Sequence, residues 1–177
     1  MASPVRLSAT GLTVSAPVIA YRGSFVFPLD PDALWSALEQ TDHFERWWGW
    51  LSEFRLDGEG LCDGAVLHGV VSPPVPYRMR VRVQLVTCRR PERVDAVVTG
   101  DLRGEGSLRL RPEGPGTVAD VAWQVEMMQR PMRLASRVAH PLLQWGHDRV
   151  VEMTVSGFRR HLARAGPPPP PPGSGLR

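Results

Sequence analysis

The chain has 177 residues, 42% of them hydrophobic and 22% charged, with a formal net charge of +3. That is one domain with tails, long enough for a real hydrophobic core and ordinary in composition for a soluble globular protein. The pI near 9.5 rests on so small a charge excess that it gives no argument for a nucleic-acid partner, and there is neither a run of like charges nor an aromatic-basic RNA motif.

All 21 basic residues are arginine, beside 18 Pro and 17 Gly, which reads as the codon bias of a GC-rich bacterial genome. Cys62 and Cys88 lack CxxC spacing, so a reduced, cytoplasmic setting is expected. Ser, Thr, Gly and Pro interrupt any apolar run in Met1 to Ala20, which argues against a signal peptide. Nothing approaches the roughly 20 apolar residues of a membrane span.

Residues 1–17 read as a loosely ordered leader, 18–165 as one domain, and 166–177, with Pro167 to Pro172, as a flexible tail. Val18 to Phe27 is the first expected strand. Asp30-Pro31-Asp32 then starts a helix, with a capping carboxylate, a proline at the first helical position and an acid in the first turn. Its buried stripe is Leu34, Trp35 and Leu38. A second helix is predicted from about Asp42, with Phe44, Trp47, Trp48 and Leu51 on one face.

Strict alternation follows. Tyr77, Met79, Val81, Val83 and Leu85 alternate with Arg78, Arg80, Arg82 and Gln84; Val94, Ala96 and Val98 continue the pattern, as do Leu108 and Leu110, then Ala119, Val121, Trp123, Val125 and Met127. Turns are expected at Arg90-Pro91, Leu102-Arg103-Gly104 and Pro112 to Gly116. Such alternation describes an antiparallel sheet with one wet and one dry face. The chain closes with a helix, His140 to Leu162, preceded by a shorter segment, Met132 to Ala139, with Pro141 as its start or kink. At ~100° per residue its buried face carries Leu143, His147, Val150, Thr154, Phe158 and His161.

The order over 18–165, the opening Phe27-Pro28-Leu29-Asp30-Pro31-Asp32-Ala33-Leu34-Trp35, and Trp145-Gly146-His147-Asp148-Arg149-Val150-Val151 resemble the START/Bet v 1-like (SRPBCC) superfamily. More narrowly they resemble its bacterial polyketide cyclase/dehydrase and lipid-transport group. The resemblance implies an α+β helix-grip fold: a curved seven-stranded antiparallel sheet around the long C-terminal helix, with two short helices after the first strand. It also implies a cavity for a lipid, polyketide or isoprenoid-like ligand. It does not select one activity, because members range from carriers to ring-closing enzymes.

The expected ligand-binding wall is Trp35, Trp48, Tyr77, Met79, Val81, Trp123, His147, Val150 and Thr154. His147 stands where an apolar residue belongs; its imidazole would orient a carbonyl or act as a general base, or else satisfy a backbone partner. Tyr77 is the second candidate for chemistry. Asp148, next in sequence, points about 100° away and is not expected to pair with His147. His68 fits either face of its strand, and Trp145 falls on the polar face of the last helix. The strand arginines read as a solvated outer face with cross-strand pairs, the alternative being docking to an anionic surface or acyl carrier protein. No HExxH, GxSxG, Walker or dinucleotide motif occurs, so neither a metal nor a cofactor is expected. The functional expectation is a hydrophobic-ligand carrier. The alternatives are a polyketide aromatase/cyclase or dehydratase using His147 or Tyr77, and an interaction module using the tryptophan-rich edge.

Overall fold

The computed structural model describes residues 18–74 and 77–165, with backbone alone for 130–144 and 165. The expected leader and the proline tail lie outside these residues. Strand β1 (Val18–Phe27) leads to α1 (Pro31–Leu38), a 3-10 turn (Thr41–His43) and α2 (Phe44–Trp47). Then come β2 (Leu51–Asp57), β3 (Val66–Val71), β4 (Met79–Arg89), β5 (Arg93–Gly100), β6 (Leu102–Glu113), β7 (Gly116–Met127) and α3 (Arg130–Ala165). The strands form one seven-stranded sheet in the order β1-β7-β6-β5-β4-β3-β2, antiparallel at every pairing.

Helix α1 starts as its sequence dictates: the Asp30 carboxylate accepts from the Ala33 N–H at 2.9 Å, and Pro31 follows in the first turn. The second helix is shorter than its apolar spacing predicts. It makes a single turn and ends at Trp48, ahead of Gly49, so Leu51 belongs to a strand. Helix formation is costly to nucleate, and aromatic packing here replaces it: Phe44 lies 4.5 Å from Trp48 and 5.5 Å from Trp47 between ring centroids. At the far end the two predicted helices are one, since α3 runs unbroken through Pro141.

Residues directly opposite in an antiparallel ladder point to the same face. One such row crosses five strands: Tyr21, Trp123, Gly106, Ala96 and Leu85. It faces α3, because Trp123 reaches His147 on that helix. The next row, Arg22, Ala122, Ser107, Asp95 and Thr87, therefore faces outward. On the outer face Arg111 bonds Asp120 at 2.7 Å, Arg93 pairs with Asp95, and Glu53 lies between Arg78 and Arg80 at 3.4 and 3.5 Å. Hydrogen bonds from Ser24 and Arg111 hold the Asp120 carboxyl below its ordinary range. His68 also faces outward, bonded to Asp57 at 3.0 Å.

Among the described residues the inner face packs into two cores. The larger joins Phe27, Leu34, Trp35, Phe44, Trp47 and Phe158 where α1, α2 and the last turns of α3 meet the sheet. Trp35 is 1% exposed, and its indole N–H donates to Glu39 Oε1 at 2.7 Å. Burying such a ring is worth about 4–6 kcal/mol. Gly157 lets α3 come close: a Cβ there would overlap the Trp47 carbonyl oxygen. The smaller core is Met79 and Met127, with Ile19, Val71, Tyr77 and Leu102 against them.

Candidate functional site

Between the two cores the inward residues Tyr21, Trp123, Gly104, Gly106, Ala96 and Val98 are half-buried, while Val125 and Leu85 are buried. Its polar centre is assembled from three elements. β1 supplies Tyr21, β7 supplies Trp123, and α3 supplies His147 and Asp148. Tyr21 lies over Gly23, two residues along the same strand face, where any Cβ would strike the tyrosine ring. This lets the phenol stack on Trp123 with centroids 4.6 Å apart and planes at 26°. The Trp123 indole N–H donates to His147 Nε2 at 2.8 Å, and His147 Nδ1 stands 3.2 Å from Asp148 Oδ1. With Nε2 accepting, the imidazole proton belongs on Nδ1, facing the carboxylate. Burial pushes the Tyr21 phenol up, and the Asp148 charge adds to the shift.

Asp148 thus corrects the sequence expectation. The two Cβ atoms do diverge, but a carboxylate is long enough to swing back to the Nδ1 side of the neighbouring ring. A geometry of adjacent helical positions rules out stacking of side chains, not an end-on contact at 3.2 Å.

Beside Trp123 the floor is formed by small residues. Gly104, Gly106, Ala96 and Val98 occupy the inward positions of β6 and β5. A side chain at Gly104 would overlap the Gln124 carbonyl oxygen, so that glycine is imposed by the backbone of β7. Gly106 is not: among the described residues its nearest neighbours would be the Ala122 oxygen and Trp123 Cβ, both at an ordinary 3.7 Å.

Of the expected wall, Trp123 and His147 meet in this middle band, and Val150 is half-buried one turn further along α3. Thr154 is half-buried, but its hydroxyl is taken by the Val150 carbonyl at 2.7 Å, while its own carbonyl accepts from the Trp48 indole at 3.1 Å. Trp48 therefore ties α2 to α3. Trp35 lies inside the larger core, and Met79, with Tyr77 and Val81 against it, lies in the smaller. Burial raises the Tyr77 phenol, which packs against Met79 and Met127 in that second cluster. Trp145 is 52% exposed, as its place on the polar face predicts. Tyr21, Asp148 and the floor glycines are the site residues that sequence reasoning missed; the Tyr-x-Gly spacing in β1 is the signal for the first.

Among the described residues, hollows open on the outer side of the sheet. A shallow trough of 790 Å³ runs over Ala20, Arg22, Ala122, Ser107 and Val97, and a smaller one of 240 Å³ lies among Glu53, His68, Arg80 and Arg82. Mixed charge lines both. Cys88 has its thiol pushed up to about 11, by burial first and then by Asp63, Cys62 and Asp95, which leaves it a poor nucleophile. Among the described residues no helix is long and apolar enough to cross a membrane.

No family model matches the chain, and no curated protein does. Solved structures match closely in shape. The Thermus thermophilus protein TTHA0849 superposes with a TM-score of 0.69 at 16% identity, over 84% of this chain and 100% of its own. Norcoclaurine synthase from Thalictrum flavum, solved with dopamine and hydroxybenzaldehyde, gives 0.60 at 12% identity over 94% and 99%. Ara h 8.0201 gives 0.54 at 12% identity over 81% and 99%. The element order, the single antiparallel sheet and these superpositions together show that the chain shares the fold of these proteins, the helix-grip arrangement expected from its sequence.

Proposed function

We propose that this protein binds a hydrophobic small molecule, of lipid, polyketide or isoprenoid-like character, between the inner face of the sheet and α3. The observation that carries the reading is the gap between the two cores. There Gly104, Gly106, Ala96 and Val98 are small and half-buried beside the buried Val125 and Leu85, and a polar cluster of Tyr21, Trp123 and His147 stands at the edge. A ligand in that position would gain about 25 cal/mol per Å² of apolar area removed from water, with one or two hydrogen bonds fixing its orientation. The aromatic ligands held by norcoclaurine synthase support a small-molecule role for the same fold. Binding of this kind suits a cytoplasmic bacterial protein. On the outer face Arg55, Arg78, Arg80, Arg93 and Arg111 pair with Asp57, Glu53, Asp95 and Asp120, which favours a solvated face over docking to an anionic surface or acyl carrier. Native mass spectrometry of the freshly purified protein, with organic extraction, tests the reading. A retained apolar compound is expected; a clean apo mass, with no tryptophan-fluorescence change on titrating lipids and polyphenols, overturns it.

One observation favours a second reading, an aromatase/cyclase or dehydratase. Asp148 orients the His147 imidazole so that Nε2 is its basic atom, and a ligand group that displaces the Trp123 N–H would meet a proton acceptor. A His147→Ala protein that converts polyketone as fast as the parent removes His147 as that base.

A further inference from the structure

We propose that Cys62 and Cys88 form an oxidation site, at which hydrogen peroxide joins the two thiols into a disulfide that staples the turn between β2 and β3 to β4. The inference goes beyond the ligand-binding reading and does not depend on it.

The chain has only two cysteines, and they stand 26 positions apart. The fold brings them together. β3 and β4 pair in the register Val66↔Gln84 and Leu67↔Val83, so the segments before Val66 and after Gln84 run on side by side. Contacts continue past the last rung. The Leu85 N–H donates to the Ala65 carbonyl at 2.9 Å, and the Gly64 N–H to the Leu85 carbonyl at 2.8 Å. A turn closed by the Ala65 N–H on the Cys62 carbonyl, and the bulge between Leu85 and Thr87, bend both segments here. Carried four residues on, the register sets Cys62 opposite Cys88, where the Asp63 carboxylate accepts from the Cys88 N–H and ties the segments together. Paired strand residues have Cα atoms about 4.5–5.5 Å apart, inside the roughly 4.4–6.8 Å that a disulfide bridges. The turn can make the last adjustment. Gly60 and Gly64 flank Cys62 at φ +123° and +85°, and among the described residues nothing lies within 4 Å of where a Cβ on either would stand.

The two thiols differ in exposure. Cys62 is exposed and Cys88 half-buried, so peroxide reaches Cys62 first. The Cys62 thiolate sulfur attacks one peroxide oxygen, the O–O bond breaks, and the departing hydroxide takes up the thiol proton as water, leaving a sulfenic acid. The Cys88 sulfur then attacks that sulfur. The S–S bond forms, the S–O bond breaks, and the hydroxide leaves as water with the Cys88 proton. Two thiols lose two electrons in all, and one peroxide becomes two waters. Burial first, then Asp63, Cys62 and Asp95, push the Cys88 thiol up to about 11, so closure is slow at neutral pH. Reopening is slow as well, because an outside thiol meets the exposed Cys62 sulfur and must expel Cys88, a poor leaving group. The closed loop encloses β3 and with it Leu67, which packs on the larger core.

The test treats the reduced full-length protein with hydrogen peroxide. An intact mass lower by two hydrogens is expected, with the tryptic peptides Leu56 to Arg78 and Val83 to Arg89 recovered as one cross-linked species. The thermal midpoint should rise by at least about 5 °C and return on reduction. Cys62→Ser, a change at an exposed position, should show neither the mass loss nor the rise, and Cys88→Ser should instead add two or three oxygens to Cys62. Oxygens added to Cys62 of the parent without a cross-link, or a disulfide between two copies of the chain, overturn the pairing. A cross-link that leaves the midpoint unchanged overturns the staple.

Discussion

The two halves of the inner face use glycine in opposite ways. At the packed end, around Trp35 and Phe158, glycines serve close packing: Gly157 lets α3 touch the Trp47 backbone, and Gly116 passes under the Phe27 carbonyl. In the middle band Gly106 meets, among the described residues, nothing that would exclude a side chain. The first arrangement removes space and the second keeps it. The comparison teaches where this protein gains its stability and where it gives some up, which is a more direct pointer to a binding site than any single polar residue.

Three measurements break or sharpen that contrast. Trp35→Ala removes the largest fully buried side chain and should cost about 3–5 kcal/mol by urea denaturation; a loss below about 1 kcal/mol would mean that the packed end is not the stabilising one. His147→Ala leaves the Trp123 N–H without its acceptor in a half-buried place, and should cost only about 1 kcal/mol. A cost as large as that of Trp35→Ala would make the middle band structural. The smallest effect is that of His161, which packs on Trp47 at 4.4 Å; burial lowers its pKa first, with His43 and Arg46 adding. Its unfolded value, 6.5, therefore lies above its folded one, and the unfolded chain takes up the proton first. The stability it contributes is whole above that pH and is lost as pH falls through the folded value. His161→Phe should flatten the pH dependence of the urea midpoint across this window, and an unchanged slope would assign it to other groups.

Much of the fold is legible in the chain, because one-sided burial writes alternation and periodicity directly. β1, the Asp30-Pro31 helix start and the inward set of β7 are each where the pattern puts them. The floor of the site is not legible for the same reason. A residue that works by having no side chain breaks the alternation, so Leu102-Arg103-Gly104 reads as a turn although these are the first three residues of β6. His147 stands out because it is polar on an apolar face. Tyr21 does not, since an aromatic is expected on a strand, and only its register opposite Trp123 brings it to the site. The contact between His147 and Asp148 depends on rotamers that spacing does not encode.

The sheet begins at β1 and ends at β2, and no ladder joins these two edges among the described residues. It is thus a strip, not a barrel, and a strip can coil more tightly or relax without losing a rung. Its opening is set by what bridges the edges, namely α1, α2 and the span of α3 that Trp48 fastens through the Thr154 carbonyl.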